Sequence, residues 1–185
     1  MKTALLVIDV QKDYFPGGKM ELTGSTEASE RIKSMIAHFR KTNRPVIHVQ
    51  HLSAKPDAPF FLPGTDGTGF HENSSPEDGE KTVRKNYPNS FRKTDLDRYC
   101  KDHGIDTLVV VGMMTHMCVD TTVRAAFDLG YDCVVLADCC ATKNLKIDDR
   151  IIAAGHVQDS FLAALNGTFA KVMNSKEYIK LEGIR

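Results

Sequence analysis

Residues 107–138 of this chain read TLVVVGMMTHMCVDTTVRAAFDLGYDCVVLAD, and this stretch decides the fold. The unbroken apolar run Leu108–Val111 is typical of a strand that is covered on both faces. Apolar residues recur with helical spacing over Cys118–Leu129, and Gly130 stands where a helix commonly ends in glycine. Another apolar run, Cys133–Asp138, comes next. The stretch therefore predicts a strand, a tight turn, a helix and a second strand, which together form a βαβ unit.

Cys118 lies in the first turn of the predicted helix. Backbone N–H groups in a first turn have no helical partners and carry the positive end of the helix dipole. They favour ionisation of a nearby thiol, and they can also bind an oxyanion. A small buried apolar cysteine fits the same position equally well. The position alone leaves both interpretations open, and the remaining segments decide between them.

Composition narrows the class of protein. The 185 residues are enough for one domain, which we expect to span residues 1–185. Basic and acidic residues number 24 each, so no net field favours nucleic acid or an anionic membrane as a partner. The five cysteines have no CxxC spacing, which argues against a disulfide framework or a zinc site. The N-terminal segment also lacks the pattern of a signal peptide, so we expect a cytoplasmic protein.

The other segments continue the alternation of strands and helices. A long irregular loop follows the second predicted strand, and loops of this length in compact domains are often functional. We predict strands at Ala4–Val10, Pro45–Val49 and Gly167–Met173, helices at Thr26–Lys41, Asp95–His103 and Asp148–Leu165, a short extended segment at Lys81–Phe91 and the long loop at Lys55–Asp78. This order predicts an α/β fold, a three-layer α-β-α sandwich around a mostly parallel sheet.

Two polar residues stand near predicted strand ends. Asp9 closes the first apolar run, and ligands of open α/β sheets bind outside the carboxyl ends of strands. An aspartate at this position also commonly stabilises a turn. Lys85 lies in the extended segment next to Arg84, where a lysine is usually solvated. Neither residue is decisive alone.

Three segments together resemble the cysteine hydrolases of the isochorismatase-like superfamily, which includes nicotinamidases and N-carbamoylsarcosine amidases. They are LLVIDVQKDYF at 5–15, KNYPNSF at 85–91 and GMMTHMCVDTTVRAAFDLGY at 112–131. The resemblance implies a catalytic triad of Asp9, Lys85 and Cys118. Cys118 would attack a carbonyl carbon, Asp9 would act as general base and then acid, and Lys85 would orient Asp9 and favour the thiolate.

The resemblance also implies a cis peptide bond between Met113 and Met114. The N–H groups of Met114 and Cys118 would then form an oxyanion hole. His116 suggests a Cys–His dyad, but it lies only two residues before Cys118 and the family uses an aspartate instead. We therefore expect His116 to line the substrate pocket.

Nicotinamidases of the superfamily bind a divalent metal through an Asp-x-His pair after the second strand. The segment Val49–Ser53 lacks that aspartate, although His48, His51 and His71 remain as metal-binding candidates. We expect no metal and no other cofactor. Isochorismatase itself cleaves a vinyl ether and does not need the cysteine, so the presence of Cys118 points to cleavage of a C–N bond in a small amide or carbamoyl compound.

We expect a small, aromatic and neutral substrate pocket near the strand ends, lined by Phe15, His51, Phe60, Tyr87, Phe91, Thr115, His116 and Met117. Relatives assemble as dimers or larger, which implies a homo-oligomer with a small-molecule substrate. Other interpretations are an ether hydrolase of the isochorismatase type, a thiol-redox protein that uses Cys118 with Cys139 or Cys140, and a partner-binding protein on the same fold.

Overall fold

The computed structural model describes residues 2–183. Strands and helices alternate through the first two thirds of the chain and end in a short strand and a helix. In chain order they are β1 (Lys2–Ile8), α1 (Ser25–Lys41), β2 (Val46–His51), β3 (Lys81–Lys85), α2 (Leu96–Asp102), β4 (Ile105–Met113), α3 (Asp120–Asp128), β5 (Asp132–Ala141), β6 (Leu145–Ile147), β7 (Arg150–Ile152), α4 (Ala154–Leu165), β8 (Lys171–Met173) and α5 (Ser175–Glu182).

Six of these strands form one parallel sheet in the order β3-β2-β1-β4-β5-β8. Connections from β1 run outward through β2 to β3, whereas those from β4 run the other way through β5 to β8. The sheet order therefore reverses between β1 and β4, the place where open α/β sheets form their binding crevice. The predicted α/β class is confirmed, and the crevice lies at the ends of the strands that carry Asp9 and Cys118.

Alternate residues of the central strands feed two separate cores, as the pleat of a strand requires. On β1, Leu5 and Val7 pack with α1 and α5, while Leu6 and Ile8 pack with α2, α3 and α4. Both faces of the sheet are thus covered by helices, which explains why the central strands read as unbroken apolar runs. The result is the three-layer α-β-α sandwich that the sequence predicts.

The predicted helix Asp148–Leu165 is wrong in its first turn and a half. Residues of β6 and β7 form an antiparallel hairpin instead, and α4 begins only at Ala154. Asp148 turns the hairpin with a φ of 51°, and the Asn144 side chain accepts a hydrogen bond from the Ala154 N–H at 2.8 Å. Ile151 is 72% exposed on the hairpin.

The C-terminal segment also differs from prediction. The last sheet strand is shorter than Gly167–Met173, and the residues after it, for which no element was predicted, form α5. Glu182 of α5 is bound by Arg44 and by His38, whose Nε2 lies 2.7 Å from the carboxylate. This ion pair fastens the end of the chain to the first helical layer. Over residues 2–183, every helix is too short or too polar to cross a bilayer.

Candidate active site at the carboxyl edge of the sheet

Four neighbouring strands each bring one functional side chain to the same edge of the sheet. In spatial order, β3 ends with Lys85, β2 ends with His51, and Asp9 follows the last residue of β1. Cys118 lies in the turn after β4, and Lys85 is the register partner of His51. Residues far apart in the chain therefore form one row across the edge.

The Lys85 ammonium joins this row together. Lys85 Nζ donates to Asp9 Oδ2 at 2.6 Å and to Cys118 Sγ at 3.1 Å. All three residues are buried, with exposures of 0% for Asp9, 2% for Lys85 and 4% for Cys118. A lysine that is so completely buried requires an ionic partner, because an unpaired ammonium would lose its hydration without compensation. The contact between these three groups is thus the defining feature of the site.

Asp9 has a second property that suits a proton acceptor. Its Oδ1 is buried without a hydrogen-bond partner among residues 2–183, while Oδ2 is held by Lys85. The backbone of Asp9 is in the left-handed region with a φ of 51°, which is strained for a residue with a side chain. Such strain persists only where the surrounding structure fixes the conformation. The same residue has a carboxylate oxygen, Oδ1, that is free to accept a proton.

The thiol of Cys118 is harder to ionise than the sequence suggested. Burial raises its pKa most, the Asp9 carboxylate raises it further, and Lys85 opposes them without prevailing. Lys85 favours the thiolate, as expected, but burial and the Asp9 carboxylate together outweigh it and leave the pKa of the thiol above its ordinary value. Attack by Cys118 consequently requires a base that removes the thiol proton during the reaction.

Lys85 keeps its charge in the same environment. Burial alone lowers the pKa of its ammonium, but the Asp9 carboxylate and the contact with the Cys118 sulfur outweigh burial and raise that pKa above its ordinary value. Tyr14, buried beside the site, has its pKa raised by burial first and then by Cys118 and Asp9. The site is thus a fixed ammonium surrounded by groups that are neutral or anionic.

Local backbone geometry places Cys118 next to Asp9. Strand β4 runs so close to β1 that a Cβ on Gly112 would lie 2.0 Å from the Ile8 carbonyl oxygen, and Gly112 has a φ of 128°. The peptide bond between Met113 and Met114 is cis, at the position that the resemblance implied. A π-helical turn over Thr115–Val119 then leads into α3. This turn sets the Cys118 side chain back over the ends of the strands.

A divalent metal does not fit these residues. In residues 2–183, Asp9, His51 and Cys118 have donor atoms that all lie within 4.8 Å of one another. The Lys85 ammonium lies among them, 2.6 Å from Asp9 Oδ2, 3.0 Å from His51 Nδ1 and 3.1 Å from Cys118 Sγ. A cation bound by the same donors would have to displace this buried positive charge. The lysine, and not a metal, thus fills the centre of the group.

The other two candidate metal histidines are engaged elsewhere. His48 Nε2 lies 2.8 Å from Glu80 Oε2, and its ring is completely buried. His71 stacks on Phe15 with ring centroids 3.7 Å apart. Each histidine has a packing or hydrogen-bonding role of its own.

Only some of the predicted pocket residues lie beside open space. A cavity of about 260 Å³ has His51, Ser53, Phe60 and Phe61 on its wall. A larger cavity of about 740 Å³ shares Phe60 with the smaller one and has Phe15 on its wall. The smaller cavity borders the row of catalytic candidates through His51.

The remaining predicted pocket residues are dispersed. Phe91 stacks on Tyr131 with ring centroids 5.8 Å apart, and Tyr131 directly precedes β5 at the opposite edge of the sheet. Tyr87 lies under the Arg92 guanidinium, 3.9 Å from the ring centroid. Phe91 therefore packs away from the row, whereas Tyr87 is covered by Arg92.

The residues on the turn before Cys118 also have defined partners. Thr115 Oγ1 is buried and lies 2.6 Å from Gln158 Oε1. His116 Nδ1 lies 2.6 Å from Thr142 Oγ1, so the ring bonds the residue that follows β5 and does not bond Cys118. Met117 is 40% exposed. A Cys–His dyad therefore has no support in the geometry.

Sequence reasoning missed the residues that hold the site in place. Gln11 bonds both backbone groups of His51, donating to its carbonyl at 2.9 Å and accepting from its N–H at 2.7 Å. Asp13 Oδ2 accepts from the Phe61 N–H at 2.7 Å and so anchors the long loop. Both residues lie within five positions of the end of β1. Polar side chains so close to Asp9 are visible in the sequence and could have indicated that this segment supports the site.

Comparison with known proteins supports a common fold and family. A family model of the isochorismatase domain matches residues 3–177. The uncharacterized isochorismatase family protein YddQ of Bacillus subtilis (strain 168) is 48% identical over 180 residues, covering 97% of this chain and 100% of YddQ. A crystal structure from Oleispira antarctica, attributed to an isochorismatase hydrolase, aligns with a TM-score of 0.93 at 44% identity, covering 97% of this chain and 96% of that one.

Two more distant relatives carry named activities. Streptothricin hydrolase of Streptomyces noursei is 30% identical over 168 residues, which cover 91% of this chain and 58% of that protein. Maleamate amidohydrolase of Pseudomonas putida is 26% identical over 157 residues, covering 77% of this chain and 74% of that protein.

Proposed function

This chain belongs to the isochorismatase family of hydrolases, and from that premise we propose that it is a cysteine-dependent enzyme that cleaves a C–N bond in a small amide or carbamoyl compound. The observation that carries the proposal is the buried contact of Lys85 Nζ with Asp9 Oδ2 and Cys118 Sγ. A nucleophile, a carboxylate and an ammonium in mutual contact are the groups that acyl transfer requires. The amidohydrolase among the relatives supports the choice of a C–N bond.

In the proposed first half-reaction, Asp9 accepts the proton of the Cys118 thiol as Sγ bonds to the carbonyl carbon. The free Oδ1 of Asp9 is the atom suited to this transfer. Because burial raises the pKa of the thiol, proton removal and attack occur together. Collapse of the tetrahedral intermediate breaks the C–N bond, Asp9 returns its proton to the leaving nitrogen, and a thioester on Cys118 remains.

The second half-reaction reverses the same steps with water in place of the amine. Asp9 takes a proton from water, the hydroxide oxygen bonds to the thioester carbon, and the C–S bond breaks. The proton then passes from Asp9 to Sγ, and the carboxylic or carbamic product leaves. Lys85 holds Oδ2 of Asp9 throughout, so the carboxylate stays aimed at the reacting atoms.

We assign the oxyanion hole to the backbone N–H groups of Met114 and Cys118. Such donors matter most in a site without water, where each is worth about 10²–10³-fold in kcat. Near-complete burial of Cys118 supports this assignment. The developing negative charge on the substrate oxygen would therefore be stabilised by the backbone, while Lys85 remains with Asp9.

The proposed enzyme is also a homo-oligomer, a dimer or larger. Ile151 is 72% exposed and Ile147 is 51% exposed on the β6–β7 hairpin, which supports association through an apolar surface. Light scattering of the purified protein should give a mass of two or more chains. A monomer mass at all concentrations contradicts this part of the proposal.

An ammonia-release screen tests the activity. The panel contains small amides, ureas and carbamoyl compounds, and each is assayed with wild type, with Cys118→Ala and with a chelator. The proposal predicts release that disappears in the variant and persists with the chelator. Release that survives in Cys118→Ala contradicts it, as does loss of activity on chelation.

A further inference from the structure

His51 lies on the strand between the two that carry Asp9 and Lys85. Its Nδ1 is 3.0 Å from Lys85 Nζ and 3.9 Å from Asp9 Oδ2. An ammonium group has protons to donate and no lone pair to offer. The Nδ1 atom must therefore present its lone pair to Lys85, which places the ring proton of a neutral His51 on Nε2.

The surroundings keep His51 neutral. Burial lowers the pKa of its ring most, and the positive charge of Lys85 lowers it further, while Asp9 only partly opposes them. A proton on Nδ1 would also point directly at the ammonium. The Lys85 ammonium, which can only donate, therefore selects the tautomer of His51 that is protonated on Nε2.

The ring is also fixed in position. Gln11 bonds the N–H and the carbonyl of His51, and Gln11 is completely buried. The Phe61 ring packs against the imidazole with centroids 5.7 Å apart. A residue whose backbone, tautomer and ring face are all set can hold a single hydrogen-bond donor in a constant direction.

Nε2 is the ring nitrogen that His51 leaves without a hydrogen bond among residues 2–183, because Nδ1 is the atom beside Lys85. His51 lies on the wall of the cavity of about 260 Å³, together with Ser53, Phe60 and Phe61. Within residues 2–183, its hydrogen bonds involve Nδ1 and the two backbone groups, and Nε2 has none. Since Nδ1 is turned toward Lys85, Nε2 is the ring nitrogen that His51 can present to this cavity.

We propose that His51 is a specificity-determining residue, whose Nε2–H binds a hydrogen-bond acceptor of the substrate next to the bond that is cleaved. This rests on the proposed function. It refines the substrate class to small amides or carbamoyl compounds that carry a second acceptor, such as another carbonyl oxygen. An amide whose second group is only hydrocarbon would cover this donor without pairing it, which costs binding energy.

Two substitutions separate the roles of the ring nitrogens. In His51→Asn, the amide oxygen takes the place of Nδ1 and still accepts from Lys85, but the donor to the cavity is lost. In His51→Gln, the amide nitrogen reaches the place of Nε2, but the acceptor for Lys85 is lost. The two variants are matched in chemistry and differ in which contact they keep.

The probes are malonamide, which has a second carbonyl, and butyramide, which has hydrocarbon in its place. Wild type should prefer malonamide in kcat/KM, and His51→Asn should raise KM for malonamide about tenfold, as expected for one lost hydrogen bond. Its kcat/KM for butyramide should fall less than that for malonamide, so the preference for malonamide should be lost. His51→Gln should instead lower kcat and keep the preference. If His51→Asn keeps the wild-type preference, or if both variants lose activity equally on both probes, the assignment is overturned.

A measurement without turnover separates this inference from the proposed function. Nitrogen NMR of the protein with labelled histidine reports which ring nitrogen of His51 carries the proton. Protonation on Nε2 at pH 7 supports the assignment even if no probe is hydrolysed, in which case the proposed activity fails alone. Protonation on Nδ1 or on both nitrogens overturns the inference, whatever the enzyme hydrolyses.

Discussion

The carboxyl edge of the sheet and the loop over residues 53–80 are built from different kinds of contact. At the edge, Asp9, Lys85 and Cys118 are buried side chains whose positions follow from the register of parallel strands. The loop combines polar bonds, such as Phe61 N–H to Asp13 Oδ2 at 2.7 Å, with aromatic packing, such as that of the Phe61 ring on Tyr14. Open cavities lie beside it. We infer that Asp9, Lys85 and Cys118 carry the reaction, while His51 and the loop determine the choice of substrate, so the two functions can be changed separately.

The largest expected effect comes from comparing two buried aspartates that are four residues apart. Asp9→Asn removes the proposed proton acceptor and should lower kcat by about 10³-fold, within the range for loss of general acid–base catalysis. Asp13→Asn keeps one oxygen to accept from Phe61 and should raise KM about threefold through a looser loop, because one charged hydrogen bond becomes neutral. Steady-state kinetics on the best amide measure both. Equal losses of kcat would remove the distinction between edge and loop.

Gly112 tests how closely the edge is packed. A Cβ there would lie 2.0 Å from the Ile8 carbonyl oxygen, so Gly112→Ala should push β1 and β4 apart and reduce the free energy of unfolding by about 2–3 kcal/mol. Gly155→Ala is the control, since nothing lies within 4 Å of its Cβ on α4. This control should stabilise the protein by about 0.5 kcal/mol. Urea unfolding measures the free energy of unfolding of both variants. An unchanged value for Gly112→Ala would contradict the close packing of β1 and β4.

Glu80, where the loop meets β3, gives a pH-dependent effect. Burial raises the pKa of its carboxyl group, but hydrogen bonds from Arg40, the Glu77 N–H and His48 outweigh burial and hold the pKa at about 2. A carboxyl group with a depressed pKa stabilises the fold above its ordinary value of 4.5 and loses that contribution as the pH falls toward 2. Glu80→Gln should therefore lower the melting temperature at pH 7 and have a smaller effect at pH 3.

The control for Glu80 is Asp66→Asn, because the Asp66 side chain is 84% exposed in its ion pair with Lys12. It should change the melting temperature little at either pH. A Glu80→Gln effect that is equally large at pH 3 and pH 7 would show that the ion pair is not the source of the stabilisation.

The smallest expected effect is on substrate preference. Phe60 lies between the two cavities, so Phe60→Ala should change the ranking of amides by about threefold to tenfold in kcat/KM. Phe91→Ala is the matched control, since Phe91 packs on Tyr131 away from the row. The ranking should stay the same in this control even if stability falls. A change of ranking in Phe91→Ala alone would place the pocket elsewhere.

Much of the fold could be predicted from the sequence because its signals are local. The apolar runs of β1, β2, β4 and β5 mark strands that are buried on both faces, and Asp9 is visible at the end of one of them. The β6–β7 hairpin was missed because Ile151 and Ile152 continue an apolar pattern that also suits a helix. The turn depends on the backbone of Asp148, and the cap of α4 comes from Asn144, which lies outside the helix.

The electrostatics of the site could not be predicted from the sequence. Helix position suggests an acidic thiol at Cys118, but its pKa follows from burial, which depends on the whole fold. The pocket was hard to predict for a similar reason. Phe91 and Tyr131 look independent in the chain and become stacked partners only when α3 brings them together. The lysine at the centre of the group likewise depends on the order of β3, β2, β1 and β4.

The most direct test of the central claim is the mass of the enzyme during turnover. Wild type is mixed with its best amide, quenched in acid at successive times and examined by intact-protein and peptide mass spectrometry. The account predicts a gain equal to the acyl part of the substrate, located on the peptide that contains Cys118 and missing in Cys118→Ala. Turnover with the acyl group on another residue, or turnover by Cys118→Ala at the wild-type rate, would contradict the claim that Cys118 at the sheet edge is the nucleophile.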